Sequence, residues 1–187
     1  MVYTITGKIL TMHRTMEVTD ANEALFYKAT SKAISITDKS RIEDAEGNLV
    51  AEFHRKVMSI HAVHYIEMAD GTKMTMKSEL FHPFHQVIDV EEKNWKIKGN
   101  FASHEYQILD ADGGVLAEVR RPWLSIHDKC ELNVVDEGQE KELLALTIVL
   151  EHMLIDERVA AESTAAAGAG TAAGAAAAEN SDGGQQA

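Results

Sequence analysis

One stretch of this chain occurs twice. Residues 41–61 return as residues 107–127, displaced by 66 positions without a gap. The residues shared by the two copies are Ile42, Asp44, Ala45, Gly47, Ala51, Glu52, Arg55, Ser59, Ile60 and His61 in the first, and Ile108, Asp110, Ala111, Gly113, Ala117, Glu118, Arg121, Ser125, Ile126 and His127 in the second. Similarity at a fixed spacing indicates one structural unit that occurs twice, so the two copies should adopt the same local structure.

Both copies alternate between apolar and polar residues. The apolar positions are Leu49, Ala51 and Phe53 in the first copy and Val115, Ala117, Val119 and Trp123 in the second. Alternation with period two predicts strands that have one buried and one solvated face. Each copy also contains a tight turn from Asp to Gly, at residues 44–47 and 110–113, and Asp70-Gly71 predicts a type I′ hairpin.

The same pattern extends over most of the chain and predicts about twelve antiparallel strands, which makes the fold class mainly β. The strands are expected near residues 3–12, 14–20, 24–30, 33–44, 49–57, 61–69, 72–81, 85–92, 95–103, 105–110, 115–122 and 129–135.

A different pattern begins at residue 140. The apolar residues of segment 140–157 are Leu143, Leu144, Leu146, Ile148, Val149, Leu150, Met153, Leu154 and Ile155. They occupy all sides of a helix, which predicts a helix buried all round. Asp136 is placed to cap its start, with Gln139 as a capping-box partner. A membrane span needs about 20 apolar residues. This run is shorter and is interrupted by Glu151 and His152. A buried core helix is therefore favoured over a central strand or a membrane-inserted segment.

Composition narrows the function classes. The 187 residues are 45% hydrophobic, which suits one packed domain, expected over residues 1–160. Residues 161–187 are rich in Ala and Gly and predict a disordered tail. The net charge of −12 opposes binding to nucleic acid. The single Cys130, together with opening residues that form a strand pattern and not a signal peptide, predicts a cytoplasmic location.

The order of these elements resembles the LURP-one-related family, including its YxjI-like branch, within the tubby C-terminal-like group. The resemblance covers about residues 3–156. It is carried by residues 95–101, 105–113, 115–119, 123–125, Asp128 and the apolar run 143–150.

The resemblance implies a twelve-stranded β-barrel closed around a C-terminal hydrophobic helix. Physical reasoning agrees, because a barrel of that width cannot be filled by side chains alone. An apolar helix about 10 Å across would fill it. A lumen occupied in this way would leave no deep cavity for a substrate.

We therefore expect a non-enzymatic binding or scaffold module. The chain has no phosphate-binding Gly-rich loop, no Gly-x-Ser-x-Gly elbow and no paired-Cys metal motif. The resemblance links relatives to phosphoinositide binding, lipid scrambling or plant defence. Accordingly we expect no cofactor, no metal and no transmembrane segment, and a partner that is a protein or an anionic phospholipid headgroup. The alternatives are an enzyme or small-ligand protein that uses the rim residues His82, His85 and Arg121, and a scramblase-like membrane protein.

Basic residues are the candidates for ligand binding. Lys96 and Lys98, with Lys93 and Arg120, predict an outward basic strip that could attract anionic lipid. Arg121, the counterpart of Arg55, could form an anion-binding rim with Arg120. A solvated strand face and an ion-paired rim are the simpler explanations.

The remaining reactive side chains give weaker signals. His61 and His64 are three residues apart, as are His82 and His85, and strands place such pairs on opposite faces. Cys130 has no neighbouring activating pattern, so no catalytic thiol is expected.

Overall fold

The computed structural model of the chain describes residues 1–10, 13–32, 39–56, 62–78, 86–122, 129–155 and 158. Twelve antiparallel strands form a closed barrel in chain order, and β12 pairs with β1 to complete the ring. The strands are β1 Val2–Leu10, β2 His13–Thr19, β3 Leu25–Lys32, β4 Ser40–Asp44, β5 Leu49–Arg55, β6 Ala62–Met68, β7 Lys73–Ser78, β8 Gln86–Val90, β9 Trp95–Asn100, β10 Glu105–Leu109, β11 Val115–Arg120 and β12 Lys129–Val134. The predicted fold class is confirmed.

The two sequence copies form the same hairpin, β4–β5 and β10–β11. Each pairing has a register shift at the same place, after Ile42 and after Ile108. The turns share their hydrogen bonds: the carboxylate of Asp44 accepts Asn48 N at 2.7 Å, and that of Asp110 accepts Gly114 N at 2.7 Å. Because β4 and β10 are half a ring apart, the copies lie on opposite sides of the barrel.

Antiparallel pairing sorts the connections between the two ends of the barrel. We call the end that contains Met1 and the connections after β2, β4, β6, β8, β10 and β12 the Met1 end. The other end, which contains the 3-10 turn Phe101–Ser103, is the Glu151 end. At that turn the Asn100 side chain accepts Ser103 N at 3.2 Å. This hydrogen bond explains why β9 ends at Asn100 and does not continue to residue 103, where the sequence pattern predicted its end.

A helix, α1, covers residues 140–155. Its residues 143–150 are all buried and occupy the lumen. Leu146 and Val149 are 0% exposed, and so is Leu144, which points to nearly the opposite side of the helix from Leu146. A closed barrel offers one place where every side of a helix is covered, its interior. The predicted buried helix is confirmed.

Three local expectations were wrong. Gln139 is not a capping-box partner: Asp136 accepts Gly138 N, but Gln139 accepts Lys93 Nζ. The Asp70-Gly71 turn is not type I′, because Gly71 N bonds to Met68 O and only Gly71 has positive φ. Leu49 is 41% exposed despite its apolar parity, because it follows the register shift at the rim of the barrel.

Gly99 occupies a position where β9 and β10 approach too closely for a side chain. An added Cβ would lie 2.3 Å from Glu105 O and 2.5 Å from Tyr106 Cα. We expect Gly99→Ala to lower the free energy of unfolding by about 2–4 kcal/mol, from overpacking and backbone strain. Gly113→Ala is the control, since its Cβ meets nothing within 4 Å and should cost about 1 kcal/mol. Equal losses in urea denaturation would contradict the close approach.

The chain separates into two compact units, Met1–Glu151 and His152–Ala187. In the second unit, residues 152–155 are helical and residues 159–187, which include the predicted tail, lie outside the described residues. Among the helices that the structure describes, none has the length and apolarity that crossing a bilayer requires.

Candidate functional site

The predicted basic strip is interleaved with carboxylates. Lys98 and Arg120 line one shallow cavity of about 380 Å³ on the outer face, together with Glu105 and Glu118. Arg120 Nη2 lies 3.6 Å from Glu118 Oε2. Lys96 is exposed beside Asp89, with Nζ 4.0 Å from Oδ1. Lys98 and Arg120 are therefore neighbours, Lys96 lies apart from their cavity, and anion binding stays a prediction.

Arg121 is separate from that strip. It is half-buried, and its Nε is buried without a hydrogen-bond partner in the described part of the chain. Its counterpart Arg55 is exposed at the end of β5. His82 and His85, named as rim candidates, lie outside the described residues, as does His61. Across the described ranges, no group of three or more His, Cys, Asp or Glu side chains could hold a metal ion.

A polar cluster around the buried Glu151 lies at the Glu151 end. Glu151 is 4% exposed. Its Oε1 accepts the Tyr106 hydroxyl at 2.8 Å, and its Oε2 lies 2.7 Å from His104 Nδ1. Burial, followed by the charge of Glu151, raises the pKa of Tyr106 and of the Cys130 thiol well above their ordinary values. Both groups therefore stay protonated at neutral pH and can donate to this carboxylate.

The exposed apolar side chains mark the Met1 end. The large hydrophobic residues exposed in the described part are Met1, Val2, Leu25, Leu49 and Val135. Val2, Leu25 and Leu49 begin β1, β3 and β5, which all start at the Met1 end. Met1 precedes β1 and Val135 directly follows β12, so all five residues belong to this end. Most connections of the opposite end lie outside the described residues, so these side chains mark a candidate contact surface within the described part of the chain.

The same end is strongly acidic. The carboxylates of its connections, of the last residue of β4 and of the first turn of α1 are Asp20, Glu23, Asp44, Glu46, Asp70, Glu91, Glu92, Asp110, Asp112, Asp136, Glu137, Glu140 and Glu142. Lys93 and Lys141 are the basic residues of these segments. Hydrogen bonds from the backbone of Ala24 and Thr72 lower the pKa of Asp20 and Asp70, respectively. These turn carboxylates therefore remain charged at neutral pH.

A groove of about 670 Å³ lies within the Met1 end. Its lining residues are Leu25, Phe26, Tyr27, Asp44, Ala45, Glu46, Leu49, Val50, Met68, Ala69, Asp70 and Lys141. The turn of the first sequence copy forms one wall, and the first turn of α1 contributes Lys141. Burial, with smaller contributions from Glu140, Asp44 and Glu142, raises the pKa of Tyr27 to about 12. An apolar groove with an acidic rim is the result.

Sequence reasoning missed both the groove and the cluster. The groove brings together four separate segments, and no linear pattern announces such a meeting. Glu151 did leave a signal, because it is a carboxylate inside an otherwise apolar helix and had to find donors there.

Comparison with known proteins gives a family. The chain matches the LURP-one-related family over residues 1–151. It is similar to the X-ray structure of a protein from Arabidopsis thaliana, with a TM-score of 0.49 and 13% identity over 81% of this chain and 91% of that one. No curated protein matches it. Since the family match spans most of the sequence, the chain belongs to the LURP-one-related family.

Proposed function

We propose that the chain is a non-enzymatic binding module that holds a protein partner at its Met1 end. The observation that carries this proposal is the groove at the Met1 end, where the exposed apolar side chains of Leu25 and Leu49 lie beside three carboxylates. Protein interfaces combine an apolar centre with a polar rim, and the Met1 end has both components.

The charge of this surface favours a protein over an anionic lipid. Carboxylates outnumber lysines in the connections of the Met1 end, so the surface repels phospholipid headgroups. On the outer face, Lys98 and Arg120 stand beside Glu105 and Glu118, which weakens their attraction for anions.

A filled lumen supports the non-enzymatic role. Residues 143–150 of α1 are buried on every side, so the interior around them is occupied by the chain itself. Glu151, Tyr106 and His104 satisfy one another, which explains their burial without a reaction. A cytoplasmic location belongs to the same proposal, because the sole cysteine, Cys130, is a buried free thiol.

Site-specific photo-crosslinking tests the location of the partner. A photoreactive amino acid is introduced at Leu49, at Val135 or, as the control on the outer face, at Lys98, and the full chain is irradiated in cells of its source. We expect discrete protein adducts from the Leu49 and Val135 positions and none above background from Lys98. Adducts that are equally abundant at Lys98, or absent at both Met1-end positions, would overturn the proposal.

Co-sedimentation with liposomes tests the lipid alternative. Vesicles of phosphatidylserine and phosphatidylcholine are spun with the chain at low and high salt, and neutral phosphatidylcholine vesicles serve as the control. We expect no binding in either salt. Binding to the anionic vesicles that fades with salt would mark a charge-driven lipid site and contradict the preference for protein.

A further inference from the structure

We infer that the groove at the first sequence copy receives an extended segment of the partner that carries both basic and apolar side chains. This inference rests on the proposed function, and it adds the chemistry of the partner and the place where the partner lies. Its basis is a difference between the two copies at the Met1 end.

The two copies begin that end identically. Val50 and Ala69 correspond, at the 66-residue spacing, to Leu116 and Val135. Ala69 N donates to Val50 O at 2.8 Å, and Val135 N donates to Leu116 O at 2.9 Å. The backbone at the two positions therefore makes the same interaction.

The chain then covers one copy and leaves the other open. After Ala69 it turns back into β7, whereas after Val135 it continues through the 3-10 turn Glu137–Gln139 into α1. In the second copy Leu116 is buried, and its carbonyl also accepts Asp136 N at 3.1 Å. In the first copy Val50 is only half-buried and lines the groove.

An ion pair completes the covering of the second copy. Lys93 Nζ lies 2.9 Å from Glu142 Oε1 and 2.9 Å from Gln139 Oε1. By strand register Lys93 corresponds to Leu25 of the groove, because Ala29 pairs with Ile42 as Ile97 pairs with Ile108. In the second copy the positively charged Lys93 is thus paired with the negatively charged Glu142 of the segment that covers it.

Both copies have acidic turns, but the first copy lacks this lysine, because Leu25 occupies the corresponding place. Its groove carries Asp44, Glu46 and Asp70 against Lys141 alone, beside apolar lining residues that include Leu25 and Leu49. The polypeptide that complements it therefore has lysine or arginine side chains for the carboxylates and an apolar side chain for the leucines. The groove volume of about 670 Å³ lies within the range of about 300–1,000 Å³ that binding pockets occupy.

Binding of short peptides to the full chain tests this inference. Three fluorescent peptides of equal length are compared by anisotropy: alternating Lys and Leu, alternating Lys and Ser, and alternating Glu and Leu. We expect the Lys/Leu peptide to bind about tenfold more tightly than the Lys/Ser peptide, and the Glu/Leu peptide not to bind. Equal affinity of the two lysine peptides would show attraction by charge alone and overturn the groove.

The duplication supplies matched controls. Glu46→Lys alters the groove, and Asp112→Lys makes the same charge reversal at the equivalent place in the second copy. We expect the first to weaken the Lys/Leu peptide about tenfold and the second less than about twofold. Leu49→Thr should likewise weaken it more than Val135→Thr, which lies at the same end outside the groove. Thermal denaturation verifies that all four variants fold.

The outcomes separate this inference from the proposed function. Equal weakening by Glu46→Lys and Asp112→Lys would overturn the groove as the peptide site. Photo-adducts at Val135 without adducts at Leu49 would also overturn it, yet they would leave a protein partner at the Met1 end. Loss of adducts at both positions would overturn the proposed function itself.

Discussion

Leu146→Asp is expected to abolish folding of the chain. Leu146 is 0% exposed within α1, so an aspartate there would bury a carboxylate in the centre of the barrel. An unpaired buried charge costs several kcal/mol, which is comparable to the total stability of about 5–15 kcal/mol of a typical domain. Far-UV circular dichroism and gel filtration should show an unfolded or aggregated chain. The milder Leu146→Ala should fold but lose about 2–5 kcal/mol of unfolding free energy.

Lys141→Ala is the control for that experiment, because Lys141 lies in the same helix but is exposed. It should retain the spectrum and the elution volume of the unmodified chain. A Leu146→Asp variant that folds with unchanged stability would mean that this face of α1 is in water, against the barrel described above.

Glu151→Ala is expected to lower the free energy of unfolding by about 3–5 kcal/mol. The substitution would leave the Tyr106 hydroxyl and the His104 ring without their acceptor at the Glu151 end. Glu151→Gln keeps one oxygen acceptor and should lose about 1–2 kcal/mol. Urea denaturation at neutral pH measures both variants.

Glu118→Ala is the matched control on the outer surface. Glu118 accepts Gln107 Nε2 and neighbours Arg120, but it is partly exposed, so its loss should cost under about 1 kcal/mol. If Glu151→Ala costs no more than Glu118→Ala, the buried cluster does not hold the helix in the barrel.

The fold was predictable because its main signals are periodic. Alternation with period two in both copies determined which residues of β5 and β11 face inward, and Ala51, Phe53, Ala117 and Val119 are all buried. The apolar run 143–150 predicted the helix for a similar reason, because burial on all sides leaves no polar face. The alternation did not predict the exposure of Leu49, because a register shift at the rim changes which neighbours that side chain contacts.

The candidate site was less predictable because it depends on distant segments. The sequence showed that Asp44 and Asp70 belong to tight turns. It did not show that β3, the two turns and Lys141 would enclose a single groove. The sequence pattern indicated a basic strip, but Lys98 and Arg120 lie beside the carboxylates of Glu105 and Glu118. Charge in a sequence predicts function only after the neighbours of each charge are known.

Hydrogen–deuterium exchange of the native chain tests the central claim most directly. The claim is that residues 143–150 fill the lumen, which confines binding to the outside of the barrel. Their amides should exchange only through global unfolding and be among the slowest in the chain. The turn at residues 44–48 should exchange faster than these amides, because its hydrogen bonds are local and exposed at the rim and can open without global unfolding. Exchange of residues 143–150 as fast as that of the turn would contradict the account.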